Sequence, residues 1–147
     1  MDLNKLREQL TIDEGKVLEV YHDHLGLPTV GIGHLILDSD EESGSPLGTP
    51  ITEERCIELF EQDLQTVIED CILLHDAGDG YPEEVKQVIA NMMFNMGRPR
   101  LSKFKKMNEA IAQKDWKRAA IEGRDSQWYR QVTNRAERLM TRMENVS

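Results

Sequence analysis

The sequence predicts an α+β fold, with a small N-terminal β lobe, a long connecting helix and a helical C-terminal lobe. Three observations carry this. A β-branched, glycine-punctuated stretch, VLEVYHDHLGLPTVGIGHLI (17–36), stands early in a chain otherwise patterned for helices. One apolar stripe at helical spacing then runs from Thr52 to about Leu74, and shorter helical patterns fill the remainder. No internal repeat or low-complexity linker divides the 147 residues, so one domain is expected.

Taken in order, Leu3, Leu6 and Leu10 predict a short amphipathic helix that stops near Gly15. VLEVY and TVGIGHLI, separated by the turn-rich DHLGLP, predict a hairpin or a three-stranded sheet. Residues 38–50 (DSDEESGSPLGTP) read as a flexible acidic loop. Thr52 is placed to cap the long helix, whose inner face is Cys56, Leu59, Phe60, Leu64, Val67, Ile68, Cys71 and Ile72. That helix breaks at DAGDGYP. Pro82 suits the first turn of the next, with Val85, Val88, Ile89, Met92 and Met96 inward and Gly97 and Pro99 as its stop. Helices at about 101–113, 115–122 and 133–144 follow, the last capped by Thr133 or Asn134. The lobes are expected at about 13–51 and about 82–147 with residues 1–12, joined by a helix over about 52–74.

Composition narrows the function. A hydrophobic share of 39% and a charged share of 31% describe a globular, soluble chain, large enough to fold without disulfides. Cys56 and Cys71, about 22 Å apart if they share one helix, read as free core thiols. No apolar run reaches membrane-spanning length, and MDLNKLREQL lacks the features of a secretion signal, so synthesis and retention in a cytoplasm are expected. The net charge of −9 hides a split: residues 1–96 hold 5 Lys/Arg against 21 Asp/Glu, residues 97–147 hold 13 against 6. The basic end could meet an anionic partner or be a solvated helix face.

Several motifs fail on inspection. Gly31-Ile32-Gly33 lacks the third glycine and the helix that follows it in a dinucleotide fingerprint, and reads instead as a place of close backbone approach. Asp38, Asp40 and Glu42 resemble a calcium loop, but the glycine is one position late and Thr49 stands where a bidentate Glu belongs. His22 and His24 have no second ligand cluster, so no metal is expected. Trp116, Trp128 and Tyr129 lie among basic residues, yet Trp116 shares its spacing with Ala119 and Ala120 and reads as core; no nucleic-acid partner is expected. There remain Glu14, Asp23 and Thr29. Two carboxylates nine apart lie about 30 Å apart in an extended chain, so they cooperate only if the chain folds back.

Residues 12–35, carrying IDEG and then YxDxxGxxTVGIGHL, resemble the bacteriophage-type lysozymes (endolysins). The likeness continues through ITEERCIELFEQDL, NMMFNMG and DWKRAAIEGRDSQWYRQVTNRAER. It implies a two-lobed lysozyme-like fold with the substrate cleft between the lobes. It implies hydrolysis of the β-1,4 bond between N-acetylmuramic acid and N-acetylglucosamine in peptidoglycan with inversion, without a cofactor, and so cell lysis. Glu14 matches the general acid, Asp23 the carboxylate that positions or deprotonates water, and Thr29 the hydroxyl that helps hold it. Arg135 matches an arginine that orients the acid, His34 and Asp63 a structural ion pair, and Leu35 and Phe94 substrate-lining positions. Met107 and Glu122 depart from polar contacts usual in the family, and no binding role is carried to them. A monomer acting on the cell wall after release from the cytoplasm is expected. The alternatives are a lytic transglycosylase, which would not need Asp23 and Thr29, and a wall-binding protein that has lost catalysis.

Overall fold

Leu6 and Leu10, one helical turn apart, are fully buried and define the inner stripe of α1 (Leu3–Glu14), which ends at Gly15. The computed structural model describes residues 1–75 and 80–147; the DAGD stretch at 76–79, part of the expected break after the long helix, lies outside the described residues. The mixed architecture is as the sequence predicts: eight helices and one three-stranded sheet among the described residues. Two compact units organise it, one of residues Arg7–Thr66, the other of Met1–Leu6 with Val67–Ser147.

In the Arg7–Thr66 unit, strands β1 (Val17–His22), β2 (Pro28–Gly31) and β3 (His34–Leu35) form an antiparallel sheet in that order. Pairing of Tyr21 with Thr29, and of Val30 with His34, sets the register. Residues 48–51 extend the sheet along β1, through bonds from Val20 N–H to the Thr49 carbonyl (2.9 Å) and from Ile51 N–H to the Leu18 carbonyl (2.9 Å). Val20 and Val30 face Leu59 of α2 (Glu53–His75), with Ile36 and Ile51 packed around them. Thr52 caps α2 as expected, accepting the Arg55 N–H at 3.0 Å.

The acidic loop is not the loose segment its composition suggests. Asp40 bonds to His34, and Glu42, only 8% exposed, accepts both arms of the Arg55 guanidinium at 2.8 and 2.9 Å. A bidentate pair on a mostly buried carboxylate holds the loop against α2. Glu41 is the exposed one of the three.

The second unit packs α5 (Lys105–Ala112) on α6 (Trp116–Arg124) and α6 on α8 (Thr133–Glu144), which also meets α3 (Glu83–Met96) and α7 (Gln127–Gln131). Short α4 (Arg98–Leu101) and α7 have too few residues to show a period, and the sequence reading missed both. Pro99 lies inside α4 rather than ending α3; Gly97 ends α3, its N–H reaching the Met93 carbonyl. Met93 rather than Met96 is fully inward, and Ile72 is 52% exposed, off the buried stripe that Cys71 beside it continues. Neither Thr133 nor Asn134 caps α8; the preceding position is Val132 and no side chain caps it. Trp116 and Trp128 are core residues, and the Trp128 indole N–H donates to Asn95 at 2.7 Å. Arg124 ends α6 in a fork onto Glu137 and Glu144 of α8, and Tyr129 donates to the same Glu137. Cys56 and Cys71 are free and buried. Among the described residues, no helix is long and apolar enough to cross a membrane, and no cluster of His, Cys, Asp and Glu could hold a metal ion.

α6 and α8 meet over a glycine. A Cβ on Gly123 would collide with Met140 Sδ and come within 3.3 Å of Met107 Sδ, and both methionines are buried. Gly123→Ala should therefore destabilise the fold by about 1–2 kcal/mol through overpacking. In a Met140→Ala background the same change should stabilise by up to about 1 kcal/mol, the helix propensity of Ala over Gly. Equilibrium denaturation of the four proteins of this cycle tests it; additive effects would mean that the two side chains do not share the space.

Candidate active site

The end of α1 and the turns of the sheet place the two early carboxylates where the charge of each acts on one tyrosine. Tyr21 lies in β1, opposite Thr29, and its phenol is held above its usual pKa first by burial and then by the negative charges of Glu14 and Asp23. Glu14 is the last residue of α1, and Asp23 follows the last residue of β1. Both are half-buried. The chain has folded back, which spacing alone could not establish.

Asp23 is held by its own turn. Its Oδ1 accepts the N–H groups of Leu25 (2.8 Å) and Leu27 (2.9 Å), while its N–H donates to the Leu27 carbonyl (3.0 Å). One carboxylate oxygen is thus bound into the loop and the other, Oδ2, is left for chemistry. Thr29, 4% exposed, donates its hydroxyl proton to the Leu27 carbonyl at 2.9 Å. A carbonyl only accepts, so the lone pairs of the threonine oxygen remain for a donor such as water.

Glu14 rests on the β2–β3 turn. A Cβ built on Gly33 would lie 2.9 Å from both Cδ and Oε1 of Glu14. Gly33 and Tyr21 are site residues that sequence reading did not assign. The signals were present, in the close-approach glycine of Gly31-Ile32-Gly33 and in the Tyr two positions before Asp23.

Of the other expected positions, Leu35 is in β3 on the outer side of the sheet and 43% exposed. Phe94 and Arg135 belong to the other unit, in α3 and α8; Arg135 Nε donates to the buried Asn91 Oδ1 at 2.9 Å. Met107 and Glu122 line one cavity of about 410 Å³ in that unit, together with Lys103, Lys105 and Lys106.

His34 meets two carboxylates. Its Nδ1 is 2.7 Å from Asp63 of α2 and its Nε2 is 2.8 Å from Asp40, which also accepts the Leu37 N–H at 2.8 Å. Burial, the largest influence, lowers the pKa of the ring, but the bonds and charges of Asp63 and Asp40 outweigh it and the net shift is upward from 6.5. The imidazolium donates from both nitrogens, so the charged form is the one that satisfies both acceptors. A raised folded-state pKa adds stability that is fully present below the unfolded pKa and is lost as pH rises through the folded value. Asp40→Asn should cost about 1–2 kcal/mol at pH 5 to 6, and the gap to the parent should narrow at alkaline pH, where only the Leu37 N–H bond and the Arg55 charge still favour the carboxylate. Denaturant titrations of both proteins across this range check it, and a gap that does not change with pH would contradict it.

The sequence matches the phage lysozyme family over residues 12–145. A relative named as a probable T4-type lysozyme 2, from Dictyostelium discoideum, is 32% identical over 97% of this chain and 95% of its own length. The pre-baseplate central spike protein Gp5 of Enterobacteria phage T4 is 35% identical over 91% of this chain, in 26% of its own length. The peptidoglycan hydrolase gp36 of Pseudomonas phage phiKMV is 30% identical over 97% of this chain, in 15% of its own length. With Tyr21 and Thr29 paired in the sheet, Asp23 in the turn between their strands, the glutamate that ends α1 against the β2–β3 turn, and a family match over nearly all its length, the chain belongs to the phage lysozymes, which are glycoside hydrolases.

Proposed function

We propose that the chain hydrolyses the β-1,4 bond between N-acetylmuramic acid and N-acetylglucosamine in bacterial peptidoglycan by a single displacement with inversion. The observation that carries this reading is that one small sheet holds all three groups: Glu14 lies against its β2–β3 turn, Asp23 is fixed in its β1–β2 turn, and Thr29 stands in β2 opposite Tyr21. Glycoside hydrolysis needs one carboxyl that gives a proton and one carboxylate that takes one. Glu14, packed on a glycine turn that displaces water from one flank, suits the first role. Asp23, tied by Oδ1 and free to act through Oδ2, suits the second.

In this reading a water donates one hydrogen to the Thr29 oxygen and the other to Asp23. As its oxygen bonds to the anomeric carbon, Asp23 takes the proton. The bond from that carbon to the glycosidic oxygen breaks, and Glu14 protonates the leaving oxygen. The products are a free hydroxyl on one sugar and a reducing muramic acid on the other, its anomeric configuration inverted. No cofactor takes part. Leu35 and Phe94 are assigned to the sugar chain by family likeness, and His34 with Asp63 to support of the sheet.

Glu14→Gln keeps the shape of the side chain and removes the proton, so lysis of purified wall should fall at least about a hundredfold with folding intact. Parental activity in that variant would remove the acid assignment. Digestion by the parent should release new reducing muramic acid; anhydro ends would instead favour a transglycosylase, and no release a wall-binding protein.

The charge split bears on the approach to the wall, which is anionic. At low salt the net −9 repels it; at high salt the attraction of the basic segment is screened, as the Debye length falls from about 10 Å at 0.1 M to about 3 Å at 1 M. Activity should peak at intermediate ionic strength, and converting Lys103 and Lys106, which line the cavity beside Glu122, to Glu should lower that peak. Lysis rates across a salt series decide; one flat profile for parent and variant would exclude the effect.

A further inference from the structure

We propose that Gly33 is a positioning residue for Glu14, its missing side chain letting the β2–β3 turn seat the carboxyl in one rotamer and exclude water from one flank. The contact runs along the whole side chain. A Cβ on Gly33 would stand 2.9 Å from Cδ, 2.9 Å from Oε1 and 3.0 Å from Cβ of Glu14, closer than carbon atoms of real side chains pack. Without that Cβ, the backbone of Gly33 is the surface against which Glu14 lies. The inference rests on Glu14 being the acid.

The turn cannot easily retreat. Val30 and His34 pair across it, and Val30, Ile32 and His34 are 0%, 7% and 5% exposed. His34 is fastened to Asp63 and Asp40, and Gly31 is backed by Cys56, whose Sγ would be 3.3 Å from an added Cβ. A side chain at position 33 must therefore push Glu14 rather than the turn. Gly33 also has φ of +63°, so two demands meet at one residue: left-handed backbone and no Cβ.

Two variants separate the demands. Gly33→Ala adds the colliding carbon and strains the backbone. Gly33→Asn adds the same carbon on a residue type that tolerates left-handed φ. Gly44→Ala is the control, with φ of +78° and nothing within 4 Å of the added Cβ, so that it carries strain without contact. Wall-lysis rate against pH is measured for each, with the unfolding midpoint, beside Glu14→Gln. Tyr21, which feels the charges of Glu14 and Asp23, and the chain neighbours Asp13 and Lys16, the latter paired with Glu53, are unchanged throughout.

Both Gly33 variants should lose at least about tenfold in rate, the scale of a small misplacement of a catalytic group. Their alkaline limb should move from the parental position, because the groups around the carboxyl change with its rotamer. Gly44→Ala should keep the parental rate and limb. A Gly33→Asn protein with the parental rate, or a slowed one with an unmoved limb, would overturn the positioning role while Glu14→Gln stays inactive. Activity in Glu14→Gln would instead remove the acid assignment itself.

Discussion

The Arg7–Thr66 unit depends on one steric constraint, the stretch Gly31-Ile32-Gly33 that ends β2 and turns into β3. Its two glycines are left-handed, at φ of +69° and +63°, and each has a neighbour where a side chain would be: Cys56 of α2 at Gly31 and Glu14 of α1 at Gly33. Between them Ile32 is buried. A turn built this way lets backbone approach two helices at once, and side chains elsewhere in the unit are arranged around that approach. Left-handed backbone costs any other residue energy, and here the contacts add a second reason for glycine.

The turn is held by charge as much as by packing. His34 follows it directly and lies between Asp63 on α2 and Asp40 on the acidic loop. An imidazole flanked by two carboxylates, in a place where little water reaches it, has no cheap alternative partner. The same loop is held a second time by Glu42 and Arg55. A stretch rich in Asp, Glu, Ser and Gly is thus ordered by three or four specific bonds, and its negative charge is partly used inside the fold rather than displayed to the wall.

The second unit solves a different problem. Its helices are short, and several carry Arg and Lys on their outer faces while burying Ala, Met and Trp. Close approach of α6 to α8 at Gly123 sets their spacing, and Arg124, one residue later, bonds across to Glu137 and Glu144. Packing and charge reinforce each other within one turn of helix. Such a network is worth more than isolated surface pairs, because each member fixes the geometry of the next.

The amino-acid sequence by itself determined the α+β class, the sheet, the long helix with its Thr52 cap and the core position of Trp116, because those follow from local periodicity and capping chemistry. The motif around Glu14, Asp23 and Thr29 was legible through family likeness rather than through spacing, which left the carboxylates uncoupled. What only the tertiary structure decided is long-range. That Glu14 meets Gly33, 19 positions away in the sequence, that Asp40 joins His34, and that Glu42 is buried on Arg55 are contacts between segments whose local patterns carry no record of each other. Short α4 and α7 were missed because four and five residues show no period, although Ser126 caps α7, and the start of α8 carries no side-chain cap for the sequence to signal.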